Sequence, residues 1–274
     1  MIKLPRLRPA SAPLALLLIC LVIYLPMIYR LGFYWDDWPS IWFLKFWGPS
    51  GFQAGFASDR PLLAWVFMLT TPIFGESTIA WQYFSIFTRW LVSLAWWWTL
   101  SGLWPGRPRQ VFWAAVLLAV YPGFTQQYIA VTYSNAFLVF ALFVLSIGSM
   151  IWAYRVKQRG ETNHRGDAGL RQKASVVWFW LLMAFSLLAS AFSMFITEYF
   201  FGLELLRPVL LYIVGNTNDR DDNEHHSERR QQSILAKPRF LAPFWQVFLR
   251  WSPYLLVMIP FLVWRLFFNS SPRA

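Results

Sequence analysis

Pro61-Leu62-Leu63-Ala64-Trp65-Val66-Phe67-Met68-Leu69-Thr70-Thr71-Pro72-Ile73-Phe74-Gly75 is a run of fifteen mostly apolar residues. Whether it crosses a bilayer decides the topology of everything after it. A spanning helix needs about twenty residues, so the run is short, yet it is too apolar for an ordinary loop. Lys and Arg arbitrate, because cytoplasmic loops carry the excess of both. If the run lies on the surface, the cytoplasmic segments hold sixteen basic residues and the outer segments four, namely Arg30, Lys45, Arg60 and Arg273. If it spans, every later segment changes side and the bias reverses. The surface reading is therefore adopted. It makes 61–74 an interfacial helix, with 41–47 as a second, both rich in the Trp and Phe that suit the membrane boundary.

The rest of the chain agrees that the solvent is lipid. Of the 274 residues, 57% are apolar and 14% charged, where about a quarter charged is usual for a soluble domain. Aromatic residues make up 20% of the chain, as expected of rings gathered at bilayer interfaces. Cys20 is the single cysteine, which excludes a disulfide scaffold and a Cys-rich structural zinc site. The net charge of +11 follows positive-inside bias, with no basic-aromatic stretch of the kind that binds nucleic acid. Lys3, Arg6 and Arg8 precede an apolar run with no small-x-small cleavage site, which reads as a retained signal anchor.

Apolar runs predict spans at 14–29, 79–103, 111–124, 128–154, 176–196, 199–214 and 251–268. The expected fold is all-α: a polytopic integral membrane helix bundle of about seven transmembrane helices with two interfacial helices in the first outer loop. It forms a single membrane domain over 1–274. Residues 1–13 are cytoplasmic, 30–77 form the outer loop, and 155–174 and 215–243 are cytoplasmic loops.

This topology gathers acids on the outer side. Asp36 and Asp37 fall just after the first span, Asp59 lies in the same loop, Glu198 sits in the turn between the fifth and sixth spans, and Glu204 lies about one and a half turns into the sixth. An adjacent carboxylate pair can act as a general base, bind a metal or anchor a loop, because repulsion can raise one pKa toward the working range. The plainer alternative is that Asp36 caps the next helix while Asp37 is solvated. Charges inside spans are costly. Glu204 and Arg207, three apart on one helical face, are expected to neutralise each other. Arg89 must face the bundle interior, an acid such as Glu204, or a ligand anion such as a lipid phosphate. Pro208 should interrupt the sixth span, and Arg265 should snorkel to the outer surface. Asp221, Asp222, Glu224, His225 and His226 read as a solvated charge run rather than metal ligands, and His164 is equally plain. Cys20 is expected to be a small apolar filler.

A cytoplasmic N-terminus, one span, then an outer loop opening on Asp36-Asp37 resembles the GT-C glycosyltransferases, polytopic enzymes that use polyprenyl-phosphate sugars. Arg60-Pro61-Leu62-Leu63, Ile73-Phe74-Gly75-Glu76-Ser77 and then Arg89 are similar to that superfamily's passage from loop to second helix. The likeness covers residues 10–110 by motif and the rest by topology. It implies inverting sugar transfer at the outer face, with Asp36 or Asp37 as base. Arg60 or Arg89 would stabilise the phosphate leaving group, and Glu198 would shape the substrate site. Glu204 and Arg207 are carried as further substrate-binding candidates, and a divalent metal is left open, since no residue demands one. The implied partners are membrane lipid and a polyprenyl-phosphate-linked sugar donor, with a further membrane subunit and no nucleic acid. Full enzymes of that superfamily carry more helices, whereas this chain stops at Ser271-Pro272-Arg273-Ala274, which raises a truncated or non-catalytic subunit as a second expectation. A transporter or lipid flippase is a third, although no internal repeat supports it.

Overall fold

The computed structural model describes residues 11–57, 60–121, 128–162, 168–224 and 241–267, with backbone alone at 161–162, 168–171, 216–224 and 241–244. Among the described residues the fold is all-α, without strands.

The first span is α1 (Ala12–Tyr24), continued by a 3-10 stretch, Leu25–Arg30. Pro26 falls in the tightened part, where its missing N–H withdraws an α-helical bond. The first loop folds into three short helices, α2 (Asp37–Trp47), α3 (Gly51–Phe56) and α4 (Leu63–Phe74). Helices α2 and α4 end at Gly48 and Gly75, which carry φ of 68° and 54°, conformations that glycine adopts without penalty. Helix α4 has 12 residues. At 1.5 Å per residue it is about 18 Å long, against a hydrocarbon core of about 30 Å. It packs one face against α3 and the start of α7 instead, with Ala64, Val66, Phe67, Thr70 and Thr71 buried and Trp65, Leu69 and Ile73 exposed.

Then follow α5 (Thr78–Leu103), α6 (Pro108–Ala119), α7 (Ala130–Thr162), α8 (Ala168–Ile196), two 3-10 turns (Glu198–Phe200 and Gly202–Leu206), α9 (Arg207–Glu224) and α10 (Leu241–Phe267). Ser77 starts α5 by accepting the amide of Ala80 at 3.3 Å, the capping role small hydroxyls favour. Among the described residues four helical stretches are long and apolar enough to cross a membrane: Ala12–Arg30, Ala130–Gly160, Gln172–Ile196 and Trp245–Phe267. The chain is a membrane protein.

Helices α5 and α7 form the centre. Two-thirds of the apolar window of α7 is buried (67%), against 17% for α10, so α7 is the axis and α10 a wall. Helix α5 matches the spans in length, but its polar side chains Gln82, Ser85, Thr88, Arg89, Ser93 and Thr99 are all buried in the bundle. Outward faces are apolar, as on α8 (Trp178, Trp180, Leu181, Leu188, Phe192) and α10 (Leu256, Leu266, Phe267). A bilayer accepts such faces where water would not.

Several boundaries differ from the sequence expectation. Helices α7 and α8 run on through much of the expected loop 155–174, because Arg155 is held by the bundle, donating to the carbonyls of Gly102 (3.0 Å) and Leu103 (3.3 Å) at the end of α5. Helix α10 starts ten residues before the expected 251. The expected span 199–214 is two 3-10 turns and then α9, which begins at Arg207. Pro208 therefore occupies a first helical turn, where its missing N–H costs nothing, rather than interrupting a helix.

Candidate functional site

The loop after α1 turns sharply at Tyr34-Trp35-Asp36-Asp37. The amide of Asp37 donates to the carbonyl of Tyr34 (2.9 Å) and that of Trp38 to Trp35 (3.2 Å). Trp35 carries a φ of 45°, a conformation that strains a bulky residue. The two aspartates have opposite fates. Asp36 stands at the N-cap position of α2 without a side-chain capping bond and is exposed. Asp37 is fully buried, and its Oδ1 accepts the amide of Thr132 at 3.0 Å. This reverses the plainer expectation of a capping Asp36 and a solvated Asp37. Asp37 serves a different helix from its own: it caps α7, where amides left over at the N-terminus seek an acceptor. Burial pushes its carboxyl up to about 6, against the opposing help of the amide and hydroxyl of Thr132 and the amides of Ala130 and Val131.

A second group gathers where α8 ends. Arg60 donates to Glu198 from Nε (3.4 Å) and Nη2 (3.2 Å), across 138 positions of sequence, and to the Tyr199 hydroxyl at 3.1 Å. Arg265 of α10 reaches the same carboxylate at 3.7 Å. Burial works against ionisation of Glu198, but the hydrogen bonds and charge of Arg60, with the charge of Arg265, hold its carboxyl below the usual range. Arg60, Glu198 and Arg265 share a shallow cleft with Phe195, Phe261 and Trp264.

Tyr133, one residue past the α7 amide that Asp37 caps, lies near members of both groups. Its hydroxyl lies within electrostatic range of Asp36, Tyr199 and Tyr128, and the rings of Tyr34 and Tyr128 meet edge to face at 5.2 Å. One end of the bundle thus carries an exposed carboxylate, a set of phenols, and two guanidinium groups around a carboxylate.

The remaining candidates go elsewhere. Glu204 and Arg207 pair as expected, through Nε to Oε2 and through Nη2 to Oε1 at 2.8 Å, and both are fully buried. Arg207 also donates to Ser146 (2.7 Å) and Ser186 (3.4 Å) and lies over the ring of Tyr254 at 4.2 Å. Ser186 and Tyr254 share a hydrogen bond of 2.6 Å. The pair is therefore a knot joining α7, α8, α9 and α10, and Glu204 leaves the outer acidic set. Arg89 faces the interior as expected but meets neither Glu204 nor the Arg60 cluster. It donates to the Tyr24 hydroxyl (2.9 Å) and the Ala119 carbonyl (3.4 Å), between the rings of Tyr24 and Phe137. Cys20 is a buried filler between helices.

Asp59, His164, His225 and His226 lie outside the described residues, as do the side chains of Asp221, Asp222 and Glu224. Among the described residues no three His, Cys, Asp or Glu side chains converge as a metal site. Sequence reading missed Thr132, Tyr133 and Tyr199, whose types carry no signal apart from their neighbours. It also missed Arg265 as a partner of Glu198; the expectation that it reaches the outer surface was the available hint. The chain matches no family model, no curated protein and no solved structure.

Proposed function

We propose that the chain is a GT-C-like glycosyltransferase of the cell membrane, with its N-terminus in the cytoplasm. In this reading it transfers a sugar from a polyprenyl-phosphate donor to an acceptor at the outer face. The observation that carries the reading is the exposed carboxylate of Asp36 sharing one end of the bundle with Arg60, Arg265 and Glu198, through Tyr133 and Tyr199. A transferase that displaces a lipid phosphate needs a base for the nucleophile and cations for the leaving group, both beside the bilayer.

Asp36 takes the proton of an acceptor hydroxyl or amine. The freed lone pair attacks the anomeric carbon as the bond to the phosphate oxygen breaks, with inversion, and polyprenyl phosphate leaves with the electron pair. Arg60 and Arg265 stabilise the charge that develops on that phosphate, while Glu198 holds the two guanidinium groups in place. Asp37 is a positioning residue, since a fully buried carboxylate that caps α7 cannot meet an acceptor. Arg89, Glu204 and Arg207 hold the bundle.

The test is sugar transfer from a polyprenyl-phosphate donor in reconstituted membranes. Asp36→Asn is expected to lose about 10²- to 10⁴-fold in rate, the usual contribution of a positioned base. Arg60→Ala should lower kcat with the donor saturating. Full activity in Asp36→Asn would remove the proposed base. Absence of transfer from a panel of such donors by the folded protein would favour a non-catalytic membrane subunit.

A further inference from the structure

The junction of the first loop with α7 carries a feature the proposed chemistry does not use. Asp37 is fully buried, and its two oxygens live in different surroundings. Oδ1 accepts the Thr132 amide at 3.0 Å at the start of a 33-residue helix, an arrangement that favours the anion. Oδ2 is buried without a partner in hydrogen-bonding geometry, although the Thr132 hydroxyl at the same junction stands close enough to the carboxyl to favour its charged form. An ionised oxygen in that state is costly, whereas a neutral carboxyl has a proton to offer and no charge to solvate. One oxygen therefore favours the charged form and the other the neutral form, and burial tips the balance toward the neutral form.

We propose that Asp37 is a proton-operated clasp: when its carboxyl is neutral the Tyr34–Asp37 turn and α2 are locked onto the N-terminus of α7, and when it ionises the turn loosens and Asp36 moves with it. The titratable neighbours are consistent with control by this one group. Asp36 and Tyr34 lie on the same turn, and Tyr128 and Tyr133 flank the start of α7. Helices α3 and α4 contribute no ionisable side chain, and Lys45 at the far end of α2 is paired with Glu76 at 3.7 Å. Among the described residues no cation stands among the influences on Asp37 to hold it charged. The strained Trp35 is released when the turn undocks, which gives the loosened state a local advantage. The consequence is a site whose base is in register on the acidic side of about 6 and displaced on the alkaline side.

The clasp is tested without the transfer reaction, so its failure is distinct from failure of the proposed activity. Ser40 is buried one turn into α2 and donates to the Asp36 carbonyl at 3.1 Å. In a Cys20→Ala background, Ser40→Cys is labelled with an impermeant thiol reagent, and its rate is divided by that of exposed Gln53→Cys to cancel the pH dependence of the reagent. Between about pH 5 and pH 7.5 the ratio should rise by up to about tenfold, the part of the roughly hundredfold linkage of a two-unit pKa difference that falls in this range. With Asp37→Asn added, the ratio should stay low at both pH values. A flat ratio in the Asp37 protein overturns the proposal, and so does a step that survives Asp37→Asn. Should Ser40→Cys fail to fold, infrared difference spectra of wild type and Asp37→Asn supply the same answer. The carboxyl band missing from Asp37→Asn must titrate together with changes in the amide bands, and a carboxyl band that titrates alone overturns the clasp.

Discussion

At the scale of single residues, burial gives neighbouring side chains of one type different work. Asp36 and Asp37 are chemically identical and adjacent, yet one is exposed and the other fully enclosed at the head of α7. The raised pKa of Asp37 has a signed effect on stability. The unfolded chain releases that proton near the ordinary value of 3.8, and the folded chain only near 6. Stability contributed here is therefore complete below about 4 and declines as pH rises through about 6, by about 3 kcal/mol in all. Thermal unfolding in detergent from pH 4 to pH 7 should show this decline, and Asp37→Asn should flatten it. The buried pair makes a second prediction. Arg207→Leu strands the Glu204 carboxylate inside the bundle and should cost about 3–5 kcal/mol, whereas replacing both, as Glu204→Gln with Arg207→Met, should recover much of the loss. Equal losses in the single and double variants, read as thermal midpoints, would show that the pair itself and not the stranded charge is what matters.

At the scale of elements, close approach of backbones sets the bundle. Gly148 of α7 faces α5, where a Cβ would stand 2.5 Å from the Thr99 hydroxyl and 2.6 Å from the Trp98 ring. Neither can retreat freely, since Thr99 donates to the Val144 carbonyl at 3.1 Å and the Trp98 ring is stacked with Trp152. Gly148→Ala should therefore lower stability by about 1–3 kcal/mol, the usual cost of overpacking, as a thermal shift will register. Helix α4 is fastened to α7 by the Thr70 hydroxyl, which donates to Asn135 Oδ1 at 3.0 Å. The sequence made the surface helices legible because their length is limited and their aromatic residues are evident. It placed the start of α9 eight residues too early. Residues 199–214 are as apolar as a span, yet two 3-10 turns precede the helix, and the second of them carries the buried Glu204 that pairs with Arg207 at its start.

At the scale of the whole molecule, the arrangement predicts which residues share a side. Cysteines at Gln53 within α3 and at Ser77, the N-cap of α5, should be labelled by impermeant reagent from outside intact cells, with a cysteine at Lys173 labelled only after permeabilisation. Labelling of Gln53 and Ser77 from opposite sides would mean that the segment containing α4 crosses the membrane after all. Composition and periodicity alone determined that this is an all-helical membrane protein and that the first loop carries short helices. These follow from hydropathy and length, which are local properties. The tertiary structure decided that Asp37 caps α7, that Arg60 and Arg265 share Glu198, that Arg207 knots four helices, and that Arg89 meets Tyr24 and Phe137 inside the bundle. A side chain's protonation and partners depend on what burial brings within a few ångströms of it, and those neighbours come from positions as far apart as Arg60 and Glu198.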